Sequence, residues 1–435
     1  MTATTGSDAC SKSTTPGQTD NPGKENGMPS WNAYLCDTMT GRINAPIDLP
    51  SFSWSIDVSD SSLATTRDKG VGQHETSGLT LPWEAIPGST YEQKRRNIAP
   101  MRRSIVVFRT GNDPAQRSSL GTPIIFGAIG VRKDTADDTS FSLMSPMSIL
   151  ASRYAVREGQ YGTGPNHTSP NSIRFDNLTY RAIASEIGYL CTDLKPGGTL
   201  PIDWQYRGEK GTHSREYDAW DIQNNSAADI LTKLTNVMNG PDMQFRPYLT
   251  ADGRYVRWRF VAGDDETIYL GLDRMHELSY HPYGATIENI TVDHLGPVQR
   301  VYTSGAGTDK AQITHLSQDL RLSQSADPYP LTEMTYSDSD TDNPGVLISH
   351  ADATLAANKS PLMQISGDVH ANDTDQAATP LLPLGSYWPG EPFQIVIQGH
   401  RALPDGIYHT RLLQMSGDET DKVSMIFDVM RDPDM

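Results

Sequence analysis

At 435 residues the chain can hold about three domains of roughly 150 residues, each with its own core. A formal net charge of -17 would repel a phosphate backbone, which excludes a sequence-specific grip on nucleic acid. Only 36% of the residues are hydrophobic, and 36 glycines with 29 prolines favour a loop- and turn-rich fold over a helical bundle.

Residues 1–29 are nearly all small or polar and cannot offset the entropy of ordering, so they read as a disordered arm. Order begins near Trp31, Tyr34 and Leu35. A turn at Asp37 to Gly41 leads to a strand in which Phe52, Trp54, Ile56 and Val58 alternate with Ser51, Ser53, Ser55 and Asp57. Residues 59–98 hold few apolar anchors (Leu79, Leu81, Trp83 and Ile86 among them), so the pattern predicts a long arm that packs on another subunit. Strands resume at Ile105 to Phe108, Ile124 to Val131 and Phe141 to Met144, with a bulge implied by Gly127 and Gly130. The first block spans 30–158.

The centre, 159–284, changes period. It opens on a Gly- and Pro-bearing linker from Gly159 to Pro170. Leu178, Ala182, Ile183, Ile187 and Leu190 recur at helical spacing, and Ser226 with Asp229 opens a second helix as a capping box. Phe245 to Leu249 and Tyr255 to Phe260 flank Asp252-Gly253 as a hairpin. From 285 to 435 the chain returns to sheet: Ile287 to Val292, Val298 to Ser304, Phe393 to Ile397, Ile407 to Met415 and Val423 to Met430. A short helix is expected over Ser349–Asn358. The fold class is mainly β, with two β-modules flanking an α+β centre.

No motif carries chemistry. Asp338, Asp340 and Asp342 start like a calcium loop, but Asn343 and Ser349 stand where that loop needs Gly and a bidentate Glu, so a solvated acidic loop is the better reading. Ser304 to Lys310 lacks the order of a phosphate-binding loop and reads as a turn after a strand. His276 and His281 lack zinc spacing, and Cys10, Cys36 and Cys191 offer no Cys-x-x-Cys pair or disulfide framework. Asp218 and Asp221 beside Trp220 are the one carboxylate cluster worth testing as a sugar site. No catalytic, cofactor-binding or metal residue is therefore assigned, and no enzymatic activity is expected. No run approaches the roughly 18 apolar residues of a membrane helix, and no leader pattern opens the chain, so a cytoplasmic product is expected and the sequons at Asn166, Asn177 and Asn289 stay unmodified.

The chain resembles the tail-hub family of tailed bacteriophages (siphophages), the baseplate-hub or minor tail proteins that follow the distal tail protein. The residues that carry the resemblance are Tyr34-Leu-Cys-Asp-Thr-Met-Thr-Gly41, the Phe52 strand and Pro123-Ile-Ile-Phe-Gly-Ala-Ile-Gly-Val-Arg132. It continues through the helix-plus-hairpin centre, Trp388-Pro-Gly-Glu391 and the segment from Gly406 to Val429, spanning 31–431. It implies a homotrimer in the virion tail tip, assembled in the host cytoplasm. Each subunit would give two tail-tube-like β-barrel or sandwich domains to a ring that continues the tube, passes genomic DNA without sequence preference and inserts into no membrane. The partners implied are the distal tail protein above, a separate central fibre or tip protein below, and the tape-measure protein in the lumen. Members often continue into a fibre or hydrolase; ending at Met435, this chain is expected to lack lytic activity. Ser53, Ser55, Asp57, Ser424 and Asp428 are the expected lumen or subunit-contact residues. The competing readings are a carbohydrate- or receptor-binding virion module and a cell-wall hydrolase of unrecognised family.

Overall fold

A computed structural model describes residues 30–65, 78–111, 120–237, 240–271, 273–339 and 341–431. The arm read at 1–29 lies outside the described residues. The first block holds β1 (Ser30–Asp37), β2 (Ile43–Ile47), β3 (Phe52–Asp57), β4 (Ser61–Thr65), β5 (Leu79–Pro82), α1 (Tyr91–Asn97), β6 (Arg103–Thr110), β7 (Thr122–Asp134), β8 (Asp138–Met144) and α2 (Pro146–Leu150). The centre holds β9 (Ser172–Leu178), α3 (Tyr180–Cys191), β10 (Ile202–Asp203), β11 (His213–Asp218), α4 (Ala227–Thr235), β12 (Met243–Leu249) and β13 (Val256–Ala262). The last block holds β14 (His276–Tyr280), β15 (Glu288–Leu295), β16 (Arg300–Ser304), β17 (Thr314–Gln318), β18 (Glu333–Ser337), α5 (Pro344–Asn358), β19 (Leu362–His370), β20 (Pro392–Ile397), β21 (Gly406–Asp418), β22 (Lys422–Phe427) and β23 (Met430–Arg431). The protein is mainly β, as the alternating runs imply.

A six-stranded sheet runs in the order β2-β1-β6-β7-β8-β5. Ile105, Val106, Val107 and Phe108 of β6 are all fully buried, because this sheet is covered on both faces. Alternate residues serve different cores. Ile105 and Val107 join a cluster with Trp54, Ile365, Met425 and Phe427, whereas Val106, Phe108 and Phe126 join Ile183, Leu231, Trp258 and Phe260. The order of layers is thus last block, first block, centre. The bulge expected near Gly130 is present, with the β7–β8 register shifting between Ile129 and Arg132.

The Phe52 strand departs from the block that encodes it. β3 pairs with β21, placing Ser55 opposite Ser416 and Ile56 opposite Met415, and β4 pairs with β3. Both alternating runs that mark the two ends of the sequence therefore lie in one nine-stranded sheet, on either side of β21. The expected arm at 59–98 is corrected too. In its described residues Leu63, Leu79, Leu81, Trp83 and Ile86 are buried on their own chain, with β5 paired to β8. Their spacing was sparse, but each one reaches the shared core, so few anchors suffice.

In the centre, Thr179 caps α3 through Ala182 N–H, and Ser226 caps α4 through Asp229 N–H, as the capping box requires. Gly253 takes a positive φ of 68° at the tip of the β12–β13 hairpin. α5 begins earlier than expected. Asn343 caps it and Pro344 occupies its first turn, which leaves Ser349 inside the helix, donating to Gly345 O at 3.0 Å.

The Trp258 ring stacks on Phe126 with centroids 4.1 Å apart, and its Nε1 donates to Phe126 O at 3.2 Å. It is fully buried where the centre meets the first sheet. Trp258→Ala should cost about 3–5 kcal/mol in chemical denaturation, and a loss below about 1 kcal/mol would contradict this packing.

Candidate functional site

Five neighbouring strands of the nine-stranded sheet, β3-β21-β22-β19-β15, present a broad face built by alternation. On the inner side, Trp54, Ile56, Met415, Val423, Met425, Ile365 and Val369 are buried. On the outer side the ladder aligns Ser55, Ser416, Ser424, Asp368 and Glu288 in one row. The next row carries Asp57, Gln414, Ile426, Ser366 and Thr291, so most of the face is short and polar, with Ile426 half-buried among them.

Hydrogen bonds across the strands tie this face together. Gln414 Nε2 donates to Ser55 Oγ at 2.8 Å, and Ser424 Oγ donates to Asp368 Oδ1 at 2.6 Å. Lys422 Nζ lies 2.8 Å from Asp368 Oδ2, and Asn289 Nδ2 donates to the same oxygen at 3.0 Å. Burial raises the Asp368 carboxyl, but the bonds from Lys422, Ser424 and Asn289 outweigh it and keep the group below its ordinary range. His370 contacts Glu288 Oε1 at 3.1 Å and Asp421 Oδ2 at 3.4 Å, tying β19 to β15 and to the β21–β22 turn.

Of the residues singled out for this face, Ser53, Ser55, Asp57 and Ser424 lie on it. Asp57 also braces the β3–β4 turn, its Oδ1 accepting from Ser59 N, Ser59 Oγ and Asp60 N. Asp428 follows β22 and instead receives Arg411 Nε at 2.6 Å, while Arg411 Nη1 reaches Asp242 of the centre. Sequence reading missed this bridge and a second one: Glu391, buried, receives Arg246 Nη1 at 2.5 Å and His276 Nε2 at 2.9 Å. Burial alone would raise the Glu391 carboxyl, yet His276 and Arg246 hold it low. These two charge clusters fasten the centre to the last sheet beside a cleft of about 1460 Å³ lined by Arg246, Tyr248, Arg259, Tyr269 and Trp388. No spacing rule finds partners 145 residues apart.

The remaining candidates stay dispersed. Asp338 Oδ2 receives Thr341 Oγ1 at 2.5 Å and contacts His350 Nδ1 at 3.0 Å, Asp342 is exposed, and Asp340 lies outside the described residues. Among the described residues no group of three or more His, Cys, Asp or Glu side chains is arranged to hold a metal ion. Ser304 to Lys310 is a turn after β16 leading into a single 3-10 turn at Asp309–Ala311. His281 packs at a tilt against Tyr283, whereas the half-buried His276 bonds Glu391. Trp220 is 67% exposed, Asp221 receives Asn224 Nδ2 at 2.8 Å, and Asp218 ends β11. Cys36 and Cys191 are free and buried in the same core, and burial pushes the Cys191 thiol up to about 11. Cys10 lies outside the described residues.

The Glu288 hydrogen bond, then Asp421, outweigh burial and raise the His370 pKa above its ordinary 6.5. A raised folded value means that the bridge stabilises fully below about pH 6.5 and fades as pH rises through the folded value. His370→Gln should therefore lower stability by under about 1 kcal/mol at pH 6, after solvent screening, and by nothing measurable at pH 9. A gap in denaturation midpoint that stays constant from pH 6 to 9 would contradict the bridge.

No protein-family model matches the chain. No curated protein matches it either. Among solved structures, the fold is similar to a tail protein from Neisseria meningitidis MC58, at 11% identity and TM-score 0.43, covering 92% of this chain and 96% of that one. It is also similar to the 43 kDa tail protein of prophage MuSo2 from Shewanella oneidensis, at 8% identity and TM-score 0.46, covering 92% and 98%. The prophage tail protein gp18 from Listeria monocytogenes EGD-e gives 11% identity and TM-score 0.40 over 91% and 94%. All three of these structures are described as tail proteins.

Proposed function

We propose that the chain is a structural hub subunit of a bacteriophage tail tip, three copies of which form a ring that continues the tail tube and gives passage to DNA. The observation that carries this is the polar face spread over β3-β21-β22-β19-β15. A sheet face of short hydroxyls and carboxylates, on which Lys422 is paired with Asp368 and His370 with Glu288 and Asp421, offers little unpaired positive charge to a phosphate, which suits the wall of a conduit. A duplex slides past such a wall because each phosphate contact by Lys or Arg would add salt-dependent affinity that slows passage.

In this reading the tube-like units are 30–158 and 285–435, with the β3–β4 hairpin lent by the first to the second, and 159–284 braces the ring. The distal tail protein binds above, a separate fibre or tip protein below, and the tape-measure protein occupies the lumen before ejection. Assembly takes place in the host cytoplasm and the product resides in the virion tail tip.

Light scattering on the assembled protein should give three times the chain mass; a stable monomer under assembly conditions, or another ring number, would overturn the hub reading. Zymograms on host cell wall should stay blank. Lysis that Asp218→Ala abolishes would replace the structural role with an enzymatic one.

A further inference from the structure

The cleft of about 1460 Å³ lies where the three blocks meet, with walls from Thr122 of the first, Arg246, Tyr248 and Arg259 of the centre, and Trp388 of the last. Inside it Arg246 of β12 stands directly opposite Arg259 of β13 in the antiparallel ladder. Two guanidiniums thus leave one sheet face from Cβ atoms about 5 Å apart, a pairing that repels unless a negative group lies between them.

The protein satisfies neither cation fully. Arg246 Nε donates to Gln244 Oε1 at 2.7 Å and Nη1 to Glu391 Oε1 at 2.5 Å, but Nη2 is buried and has no hydrogen-bond partner among the described residues. A charged donor withdrawn from water without an acceptor is costly, so the position calls for one. Arg259 is exposed, and its guanidinium packs over the Tyr248 ring with no ion pair or hydrogen bond among the described residues.

The carboxylates nearby are committed elsewhere. Glu391 engages Arg246 with Oε1 and His276 with Oε2. Asp203, paired with Arg259 from β10, receives Arg257 on Oδ1 and the Tyr248 hydroxyl on Oδ2. Asp264 accepts from Glu266 N and Thr267 N, and Asp252 from Thr250 Oγ1 and Arg254 N. Asp273, exposed on the rim, is the one lining carboxylate without such a bond among the described residues, and it adjoins the exposed Arg274.

We propose that this cleft takes an acidic polypeptide segment and seats one Asp or Glu carboxylate between Arg246 and Arg259. A carboxylate carries a single charge on two oxygens in one plane, one for Arg246 Nη2 and one for the Arg259 fork. A phosphate dianion fits less well, because Asp252 and Asp273 repel its second charge. The cleft also exceeds the roughly 300–1,000 Å³ of pockets that enclose small molecules, and Tyr269 and Trp388 offer ring surface to the residues flanking the carboxylate. The site holds whether or not the chain forms a ring.

Calorimetric titration of the full chain at low salt tests this with four probes: a capped pentapeptide with one central glutamate, the same peptide with glutamine there, succinate and inorganic phosphate. The glutamate peptide should bind with a dissociation constant of about 1 mM or below, and the glutamine peptide at least tenfold more weakly. R259Q should weaken the glutamate peptide at least tenfold with an unchanged thermal midpoint. R254Q makes the same charge change on an exposed residue of the same hairpin outside the cleft, and should stay within about twofold of the wild type. R246Q strips the buried Glu391 of a partner, so R259Q is the deciding variant. Equal binding of the two peptides, or an equal loss in R254Q and R259Q, overturns the site. Succinate that binds through Arg259 while the peptide does not bind overturns the polypeptide occupant, and phosphate that binds more tightly than either overturns the preference for a carboxylate. No binding by any probe at about 10 mM overturns the site altogether.

Discussion

Burial on both faces of the middle of the six-stranded sheet, β6 and the first part of β7, is the constraint on which the rest of the molecule depends. Along β6, Ile105 and Val107 point into the core shared with the last block, and Val106 and Phe108 point into the core shared with the centre. A strand that must fill two cores at once is specified by a continuous apolar run, and β6 with β7 supplies it. Loss of either contact would expose a whole sheet face to water, so the end blocks and the centre are held as layers of one structure.

Chain exchange reinforces that arrangement. The β3–β4 hairpin leaves its own block to extend the last sheet, where Trp54 packs against Gly417; a Cβ at that glycine would stand 3.0 Å from the Trp54 ring and 2.8 Å from Lys422 O. Charge clusters complete the fastening at Glu391 and Arg411, where carboxylates and guanidiniums meet across the boundary between the centre and the last sheet. With the inner sides thus committed, the outer side of β3, β21, β22, β19 and β15 is free to be polar, and the short side chains there follow from the alternation that fills the core.

Local elements were legible wherever one rule dominates. Thr179 is a cap that the helical period exposed without naming, while Ser226 with Asp229 and Asp252-Gly253 announced their structures directly. The polar candidates Ser53, Ser55 and Ser424 could be assigned to one side of a strand from period two alone. Their meeting on a single sheet face could not, because β-pairing between positions more than 300 residues apart leaves no local trace. β19 escaped for a different reason: Met363, Ile365 and Val369 alternate with polar residues, but Gly367 interrupts the apolar side. The space there suits glycine, since a Cβ would stand 2.8 Å from Ile287 Cδ1 and 3.1 Å from Glu288 O. Over 59–98 the apolar anchors are sparse in sequence, yet Leu63, Leu79, Leu81, Trp83 and Ile86 all land in the shared core, which only the tertiary structure reveals.

The central claim is that the row Ser55, Ser416, Ser424, Asp368 and Glu288 belongs to the wall of a channel. An electron-microscopy map of the assembled particle tests it most directly. In the proposed ring this face turns toward the axis, around a bore of negative potential that admits a DNA duplex. A map in which the face is buried against another protein or turned to the outside, or in which lysines and arginines line the axis, would contradict it.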